Sequence, residues 1–202
     1  MQRQLERTII DDTILVRQSQ HGDSVAMGRL IVKYQDRVYN TILKICGNRD
    51  DAAELTQETF VKLIEKIKTF EGKSAFYTWL FRIAVNLTFN YCKRRAKVGM
   101  QSLEAATGPE FDGARVHLGM FLADEGSVDP AVVAQNKEIG EILVGALSKL
   151  DEHHRAVVVL RDIEGMSYPE IAEALEIQLG TVKSRLSRAR ANLREILETV
   201  LI

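Results

Sequence analysis

The stretch "GTVKSRLSRARANLRE", Gly180 to Glu195, decides how this chain is read. Its apolar residues keep a regular beat: Val182, Leu186, Ala189, Leu193, then Ile196 or Leu197. Intervals of three and four residues give an α-helix one apolar side. Its basic residues are Lys183, Arg185, Arg188, Arg190 and Arg194, and no acid interrupts them before Glu195. Such a helix is either a solvated surface helix rich in arginine or a helix shaped to enter a nucleic-acid groove.

The residues before it separate these readings. Ser167 and Glu170 have the Ser-x-x-Glu spacing of a capping box, with Pro169 inside the first turn. Ile171, Ala172 and Leu175 give the short helix that follows an inner face. A turn over Glu176–Gly180 comes next, and Thr181 is placed to cap the basic helix. A short helix, a tight turn and a second helix with basic residues outward make a helix-turn-helix. Lys183, Ser184, Ser187 and Arg188 lie outward near the start of that second helix, where base edges are read. Arg pairs two acceptors of guanine at once, and Ser is a less specific reader. Arg185, Arg190 and Arg194 lie toward the flanks, as phosphate contacts do.

Working outward, Asp151 is placed to cap "EHHRAVVVLRDIEG", which ends at Gly165. Before it, Asp129 and Pro130 open a helix with inner residues Ile139, Ile142, Leu143, Ala146 and Leu147. From about residue 97 to 130 periodicity stops, and the run has five glycines, many acids and few strong helix formers. This run reads as a linker, with a fragment of helix at most around Val116–Leu122. It predicts two halves that move independently, with proteolytic cleavage between Lys97 and Pro130.

The N-terminal half carries four helical patterns. One occupies residues 11–20, capped at Asp11 or Asp12. A longer one is capped at Asp23 or Ser24, has Met27, Leu30, Ile31, Tyr34, Val38, Ile42 and Ile45 on one face, and stops at Gly47. The third starts at Asn48, with Ala53, Phe60, Leu63, Ile64 and Ile67 as its apolar side and Asp51, Glu54, Glu58, Lys62 and Glu65 on another. The fourth follows Ser74 as cap, with Phe76, Leu80, Ile83, Ala84, Leu87 and Tyr91 as its core stripe. Trp79, Arg82, Asn86, Phe89 and Lys93 fall on a different side, where aromatics and cations together suit single-stranded DNA. The competing reading makes Tyr77, Trp79, Phe81 and Phe89 additional core.

Composition sets the outer bounds. The chain has 202 residues, 46% of them hydrophobic, and only three prolines, which favours an all-α protein with a packed core. The net charge of −1 conceals its distribution. Residues 1–97 are net +6, residues 98–135 net −5 and residues 136–202 net −2. No N-terminal apolar segment and no run approaching the roughly 20 residues of a membrane span are present, so a cytoplasmic protein without membrane insertion of its own is expected. Cys46 and Cys92 stand outside any metal or redox spacing and read as buried free thiols. Catalytic readings fare poorly. Adjacent His153 and His154 point about 100° apart on a helix, and no Gly-rich phosphate loop or nucleophile elbow occurs.

Taken together, these motifs resemble the extracytoplasmic-function sigma factors of the sigma-70 family. "DDAAELTQETFVKL" resembles the family's polymerase-binding segment, and "SAFYTWLFRIAVNLTFNYCKRR" is similar to its −10 segment. "LDEHHRAVVVLRDIEGMSYPEIAEAL" and "GTVKSRLSRARANLR" look like its −35 reading domain. The resemblance implies two small helical domains, residues 5–96 and 131–202, joined by a flexible acidic linker over 97–130. It implies core RNA polymerase, promoter DNA and an anti-sigma factor as partners, no enzymatic activity and no cofactor or metal. It casts Asp51, Glu54, Gln57 and Glu58 as core-polymerase contacts. The loop Phe70–Ser74, with Phe70, Lys73 and Ser74, becomes a pocket for a flipped −10 base, and Trp79, Arg82, Asn86 and Lys93 become −10 contacts. Thr181, Lys183, Ser184, Arg185, Ser187, Arg188 and Arg190 become −35 contacts. Two departures stand out. Glu176 occupies a turn position where many relatives carry Gly, which predicts a tighter or strained turn, and Ser187 replaces a larger residue. The competing functions are a helix-turn-helix regulator that binds an operator, and a recombinase with a C-terminal helix-turn-helix, which needs a strand-rich catalytic domain.

Overall fold

The computed structural model describes residues 12–101, 142–143 and 145–200, with backbone alone at 96–101 and 200. Among the described residues every regular element is a helix. Helix α1 covers residues 12–20, α2 Ser24–Cys46, α3 Arg49–Lys66 and α4 Phe76–Gln101. A 3-10 turn, Ile67–Thr69, follows α3. In the C-terminal half, α5 holds the described residues 142–143 and 145–148. Helix α6 is Glu152–Val158, extended by a π-turn over Val159–Ile163; α7 is Tyr168–Ala174 and α8 Leu179–Val200. The expected helix from Asp129 through Ile139, the linker from residue 102 onward and the cap at Asp11 lie outside the described residues.

Local chemistry sets most boundaries. The Asp23 carboxylate accepts hydrogen bonds from the backbone N–H groups of Val25 and Ala26, and starts α2. Gly47 ends it at φ +77°, the left-handed region that a side chain disfavours, and its N–H donates to the Leu43 carbonyl. Asn48 caps α3 by accepting from Asp51 N–H, and Asp151 caps α6 by accepting from His153 and His154 N–H. Two starts differ from the sequence reading. Helix α4 begins at Phe76, so the Ala75 carbonyl, not Ser74, receives the first helical bond, from Trp79 N–H. Helix α8 begins at Leu179 with Gln178 supplying the first carbonyl, which places Thr181 inside the first turn.

The helix stripes meet in one apolar core. Leu30, Tyr34, Val38, Ile42 and Ile45 of α2 are buried against α3 and α4. In the C-terminal half, Val157 to Leu160, Ile171, Ala174, Val182, Leu186 and Ala189 close a smaller bundle of α6, α7 and α8. The apolar face of α8 therefore falls on the predicted beat. On α3 the pattern corrects one expectation. Ala53 and Ile64 face solvent, Ile64 at 53% exposure, while Ala52, Leu55, Thr59, Phe60 and Leu63 turn inward.

The two halves do not stand apart. Helix α7 packs on α4, and α6 with its π-turn packs on α2, so the buried residues of both halves form a single cluster. Helix α4 carries apolar residues on more than one side of its first four turns, and such a helix is buried on more than one side. Of its predicted stripe, Phe76, Leu80 and Ala84 are buried and Ile83, Leu87 and Tyr91 half-buried, while Thr78, Phe81, Val85, Thr88 and Cys92 are buried as well. The C-terminal half packs on this helix through α7. The halves that the linker was expected to hold apart are thus in contact among the described residues.

A single core predicts coupled unfolding. Trp79, the only tryptophan, reports on the N-terminal half, and Leu160 is fully buried in the C-terminal half. Leu160→Ala should destabilise by about 2–5 kcal/mol and lower the denaturation midpoint read by Trp79 fluorescence. An unchanged Trp79 midpoint would show two independent folding units.

Candidate nucleic-acid interface

Helix α8 presents the first face. With Val182, Leu186 and Ala189 buried, Lys183, Ser184, Ser187 and Arg188 all point to solvent in its first turns. The Ser184 hydroxyl donates to the Thr181 carbonyl at 3.1 Å, while Thr181 and Arg185 are half-buried. Arg188 makes no ion pair with another described residue. Arg190 differs, because its guanidinium donates to both carboxylate oxygens of Asp162 at 2.5 and 3.2 Å. The Asp162 hydrogen bond is the main cause that raises the Arg190 pKa above the usual arginine value. A shallow groove beside this helix is lined by Tyr168, Lys183, Ser187, Arg190 and Arg194. A short capped helix therefore positions an exposed basic helix start, as base-edge readout requires.

The turn between α7 and α8 carries the strain that the sequence anticipated. Glu176 has φ +53°, and it is the one described non-glycine residue with positive φ. Holding a side chain there costs roughly 1–2 kcal/mol. Its carboxylate oxygen Oε1 lies 2.9–3.0 Å from two nitrogens of Arg82 on α4.

The second face lies around the start of α4. Phe70 stands 5.1 Å from Trp79 and 5.8 Å from Phe76, ring centre to ring centre, and Phe76 also meets Tyr34. The Gln20 side-chain amide of α1 donates to the carbonyls of Ile67 and Phe70, at 3.0 and 2.8 Å, and so fixes the turn that carries Phe70. Gly72 then reverses the chain at φ +73°. Lys73 pairs with Glu71, Ser74 is half-buried, and Asn86 and Trp79 are half-buried along α4, with Lys93 exposed beyond them. The structure thus brings Phe70, Ser74, Trp79, Arg82 and Asn86 onto one half of the molecule. The aromatic residues divide between the two sequence readings. Phe81 is fully buried, Tyr77 donates to Glu170, and the Phe89 ring packs on His153 at 5.1 Å. Of the four weighed as a stacking surface, Trp79 remains beside Phe70.

The third face is the outer side of α3. Glu54 and Gln57 are exposed and Glu58 is half-exposed. Asp51 instead binds inward: its carboxylate receives the Arg95 guanidinium at 2.6 Å. Burial first, and the Asp51 hydrogen bond second, push the Tyr91 hydroxyl up to about 12. Between the exposed acids stand Val61 and Ile64, 52% and 53% exposed. Sequence reasoning placed Ile64 in the core and did not single out Val61. The signal was available, since Gln57, Val61 and Ile64 share the exposed side with Ala53 at helical spacing.

Two further residues went unnoticed in the sequence. Arg155, only 8% exposed, donates to the carbonyls of Ile45, Ser148 and Leu150 at 2.7, 3.0 and 2.8 Å. Glu164 receives Arg37 Nε at 2.6 Å and the Thr41 hydroxyl at 2.7 Å. Both bind across more than 100 residues of sequence, where no local pattern reveals a partner. The thiols of Cys46 and Cys92 are unpaired, and burial lifts them to about 11 and about 12, away from reactivity. Among the described residues no cluster of His, Cys, Asp and Glu has the makings of a metal site, and no helix is long and apolar enough to cross a membrane.

Comparison with known proteins matches these halves separately. The family described as Sigma-70 region 2 matches residues 30–98, and Sigma-70, region 4 matches residues 140–193. The ECF RNA polymerase sigma-E factor of Haemophilus influenzae is 33% identical over 182 residues, covering 90% of this chain and 92% of that protein. The RNA polymerase sigma-H factor of Pseudomonas aeruginosa is 34% identical over 193 residues, covering 94% and 95%. Among solved structures, CnrH in complex with the cytosolic domain of CnrY aligns with a TM-score of 0.64 at 27% identity, over 94% of this chain and 98% of that one. The sigma factor RpoE of Bartonella quintana, in complex with the anti-sigma factor NepR, aligns with a TM-score of 0.63 at 25% identity, over 85% and 96%.

The capping box at the start of α7 predicts a pH signature. Burial pushes the Glu170 carboxyl up, but hydrogen bonds from the Ser167 hydroxyl, the Tyr77 hydroxyl and Ser167 N–H outweigh it, so its pKa lies below the ordinary value. Its stabilisation is thus complete above about pH 4.3 and is lost as pH falls through the lower folded value. The stability gap between wild type and Glu170→Gln should be widest near neutrality and close in acid. A gap that stays constant across that range would contradict the assignment.

Proposed function

The chain belongs to the extracytoplasmic-function group of the sigma-70 family, and from that membership we propose how its faces divide the work of a promoter-specificity subunit. It serves RNA polymerase by recognising −35 and −10 promoter elements and helping to open the −10 duplex. The reading rests above all on α8, whose buried stripe of Val182, Leu186 and Ala189 leaves Lys183, Ser184, Ser187 and Arg188 outward. These four, with Thr181 and Arg185, meet the −35 duplex in the major groove. Arg190 reaches phosphate only by leaving Asp162. Phe70, Lys73, Ser74, Trp79, Arg82, Asn86 and Lys93 take the −10 strand. Glu54, Gln57 and Glu58 dock on the polymerase, and exposed Val61 and Ile64 give that docking an apolar centre. Asp51 supports the face by tying α3 to Arg95 of α4. The chain supplies no reacting group of its own, and the polymerase performs the chemistry. An anti-sigma factor is a natural partner, because RpoE of Bartonella quintana was solved in complex with the anti-sigma factor NepR.

The direct test adds the protein to core polymerase on a promoter library; specific transcripts support the reading, and none would refute it. Two variant series refine it. Glu54→Lys with Glu58→Lys should weaken core binding while far-ultraviolet circular dichroism stays helical, and unchanged pull-down would remove α3 as the docking face. Arg188→Ala should cost about 1–3 kcal/mol and relax preference at one or two −35 positions. Arg194→Ala should weaken all sequences equally and lower the salt dependence by about one phosphate. The opposite assignment of effects would mean that α8 sits rotated in the groove.

A further inference from the structure

Helix α1 reaches the aromatic group around Phe70 from both of its ends. Gln20 is its last residue. Gly22 reverses the chain just beyond at φ +93°, and Asp23 then caps α2, so two helix ends set where Gln20 stands. Its amide nitrogen donates to the Ile67 carbonyl at 3.0 Å and to the Phe70 carbonyl at 2.8 Å, 47 and 50 positions along the chain. A primary amide carries two N–H donors, and both go to one short turn. The turn's own bond runs from Phe70 N–H to the Ile67 carbonyl at 3.1 Å. At the other end of α1, the buried Asp12 carboxylate accepts from the Tyr34 hydroxyl and from Lys33 Nζ. The Tyr34 ring lies 5.6 Å from Phe76, which lies 5.8 Å from Phe70.

A base pocket discriminates only when its walls are fixed before the base arrives, and walls carried on a loop are less precise than walls on a helix or strand. Here Phe70 stands on a loop, 5.1 Å from the Trp79 ring on α4. Phe70 is half-buried, and Glu71, Gly72 and Lys73 after it are exposed. Packing therefore does little to shape the loop tip. Its course depends on the two points that flank it. Helix α4 is held on one side by buried Phe76 and Leu80. The turn on the other side is held by Gln20. The residue type matters for this. Neighbouring Ser19 bonds back within its own helix, to the Leu15 carbonyl at 2.7 Å. The Gln20 amide instead leaves α1 and crosses to the loop. An apolar side chain of the same length would fill the space and hold neither carbonyl.

We infer that α1 braces the −10 base pocket, with Gln20 as the positioning residue that sets how Phe70 stands against Trp79. The inference rests on the functional reading above, since it takes the Phe70–Ser74 loop as the pocket for a −10 base. Gln20 touches no base and acts through the backbone of residues 67–70. A constellation of this kind works within about 0.5 Å of its productive geometry, and two hydrogen bonds at one turn supply that limit. Asp12 supports the far wall, through Tyr34 and Phe76. Base preference at the −10 element is thereby set in part by a helix that carries none of the DNA-facing residues.

The test uses holoenzyme on a promoter library randomised at both elements. Gln20→Met keeps the length of the side chain and removes both donors. Gln20→Glu keeps its shape and turns a carboxylate toward the two carbonyls. Each should relax base preference at one −10 position about fivefold, the weight of one net hydrogen bond, and leave the −35 preference as in wild type. In the free chain, the same variants should make Trp79, the only tryptophan, more accessible to acrylamide, because Phe70 is no longer held beside it. A merely structural role would weaken the reading of both elements together. Unchanged −10 preference in both variants, unchanged Trp79 quenching, or −10 and −35 preferences that relax together would overturn the inference. Variants that yield no transcripts where wild type does would overturn it as well, by making Gln20 a folding residue. A wild-type chain without specific transcripts would instead overturn the functional reading, and the pocket with it.

Discussion

One buried guanidinium fixes how the halves of this molecule meet. Arg155 enters from α6 and gathers the Ile45 carbonyl at the end of α2 with those of Ser148 and Leu150. The last carbonyls of a helix have no partner within it and carry the negative end of its dipole. A fork of N–H donors satisfies them where a single lysine point charge would not. A buried cation is costly unless hydrogen-bonded, so this geometry admits little sliding of α6 against α2. With α6 set there, α7 lands on the second apolar face of α4, and the carboxylates at 164, 170 and 176 fall opposite their partners.

The contributions across this junction differ in kind. Apolar burial where α7 packs on α4 and α6 on α2 supplies most of the association, because it is large and non-directional. The ionic contacts add less. The Arg37 and Arg82 side chains remain 44% and 41% exposed, where water and salt weaken an ion pair. Their weight lies in register, since carboxylates on consecutive elements must all find donors together.

Much of this was legible in the sequence, and the remainder was hidden for definite reasons. Caps at Asp23, Asn48, Asp151 and Ser167 act within a few residues, so their residue types sufficed. The beat from Val182 to Ala189 was equally local, and the structure buries it as read. The strain at Glu176 was also foreseen, from a side chain standing where relatives carry glycine. What failed was long-range. Ile64 looks like core by type but lies on the wrong side of α3, and only packing decides that. Likewise α4 was given one buried stripe because the second needs a partner that a linker seemed to hold at a distance. Arg155 and Glu164 gave no local sign of the contact each makes with α2, over 100 positions earlier.

The central claim is that one chain whose halves share a core serves both promoter elements, for which the halves have to part, and a reversible lock tests it most directly. Cysteines replacing Arg37 and Glu164, which touch across the junction, can be joined by a short reducible cross-linker, while buried Cys46 and Cys92 stay unreactive. The account predicts that the cross-linked chain yields no promoter-specific transcripts with core polymerase, and that reduction of the linker restores them. Transcription by the locked chain at the level of its reduced form would contradict the account.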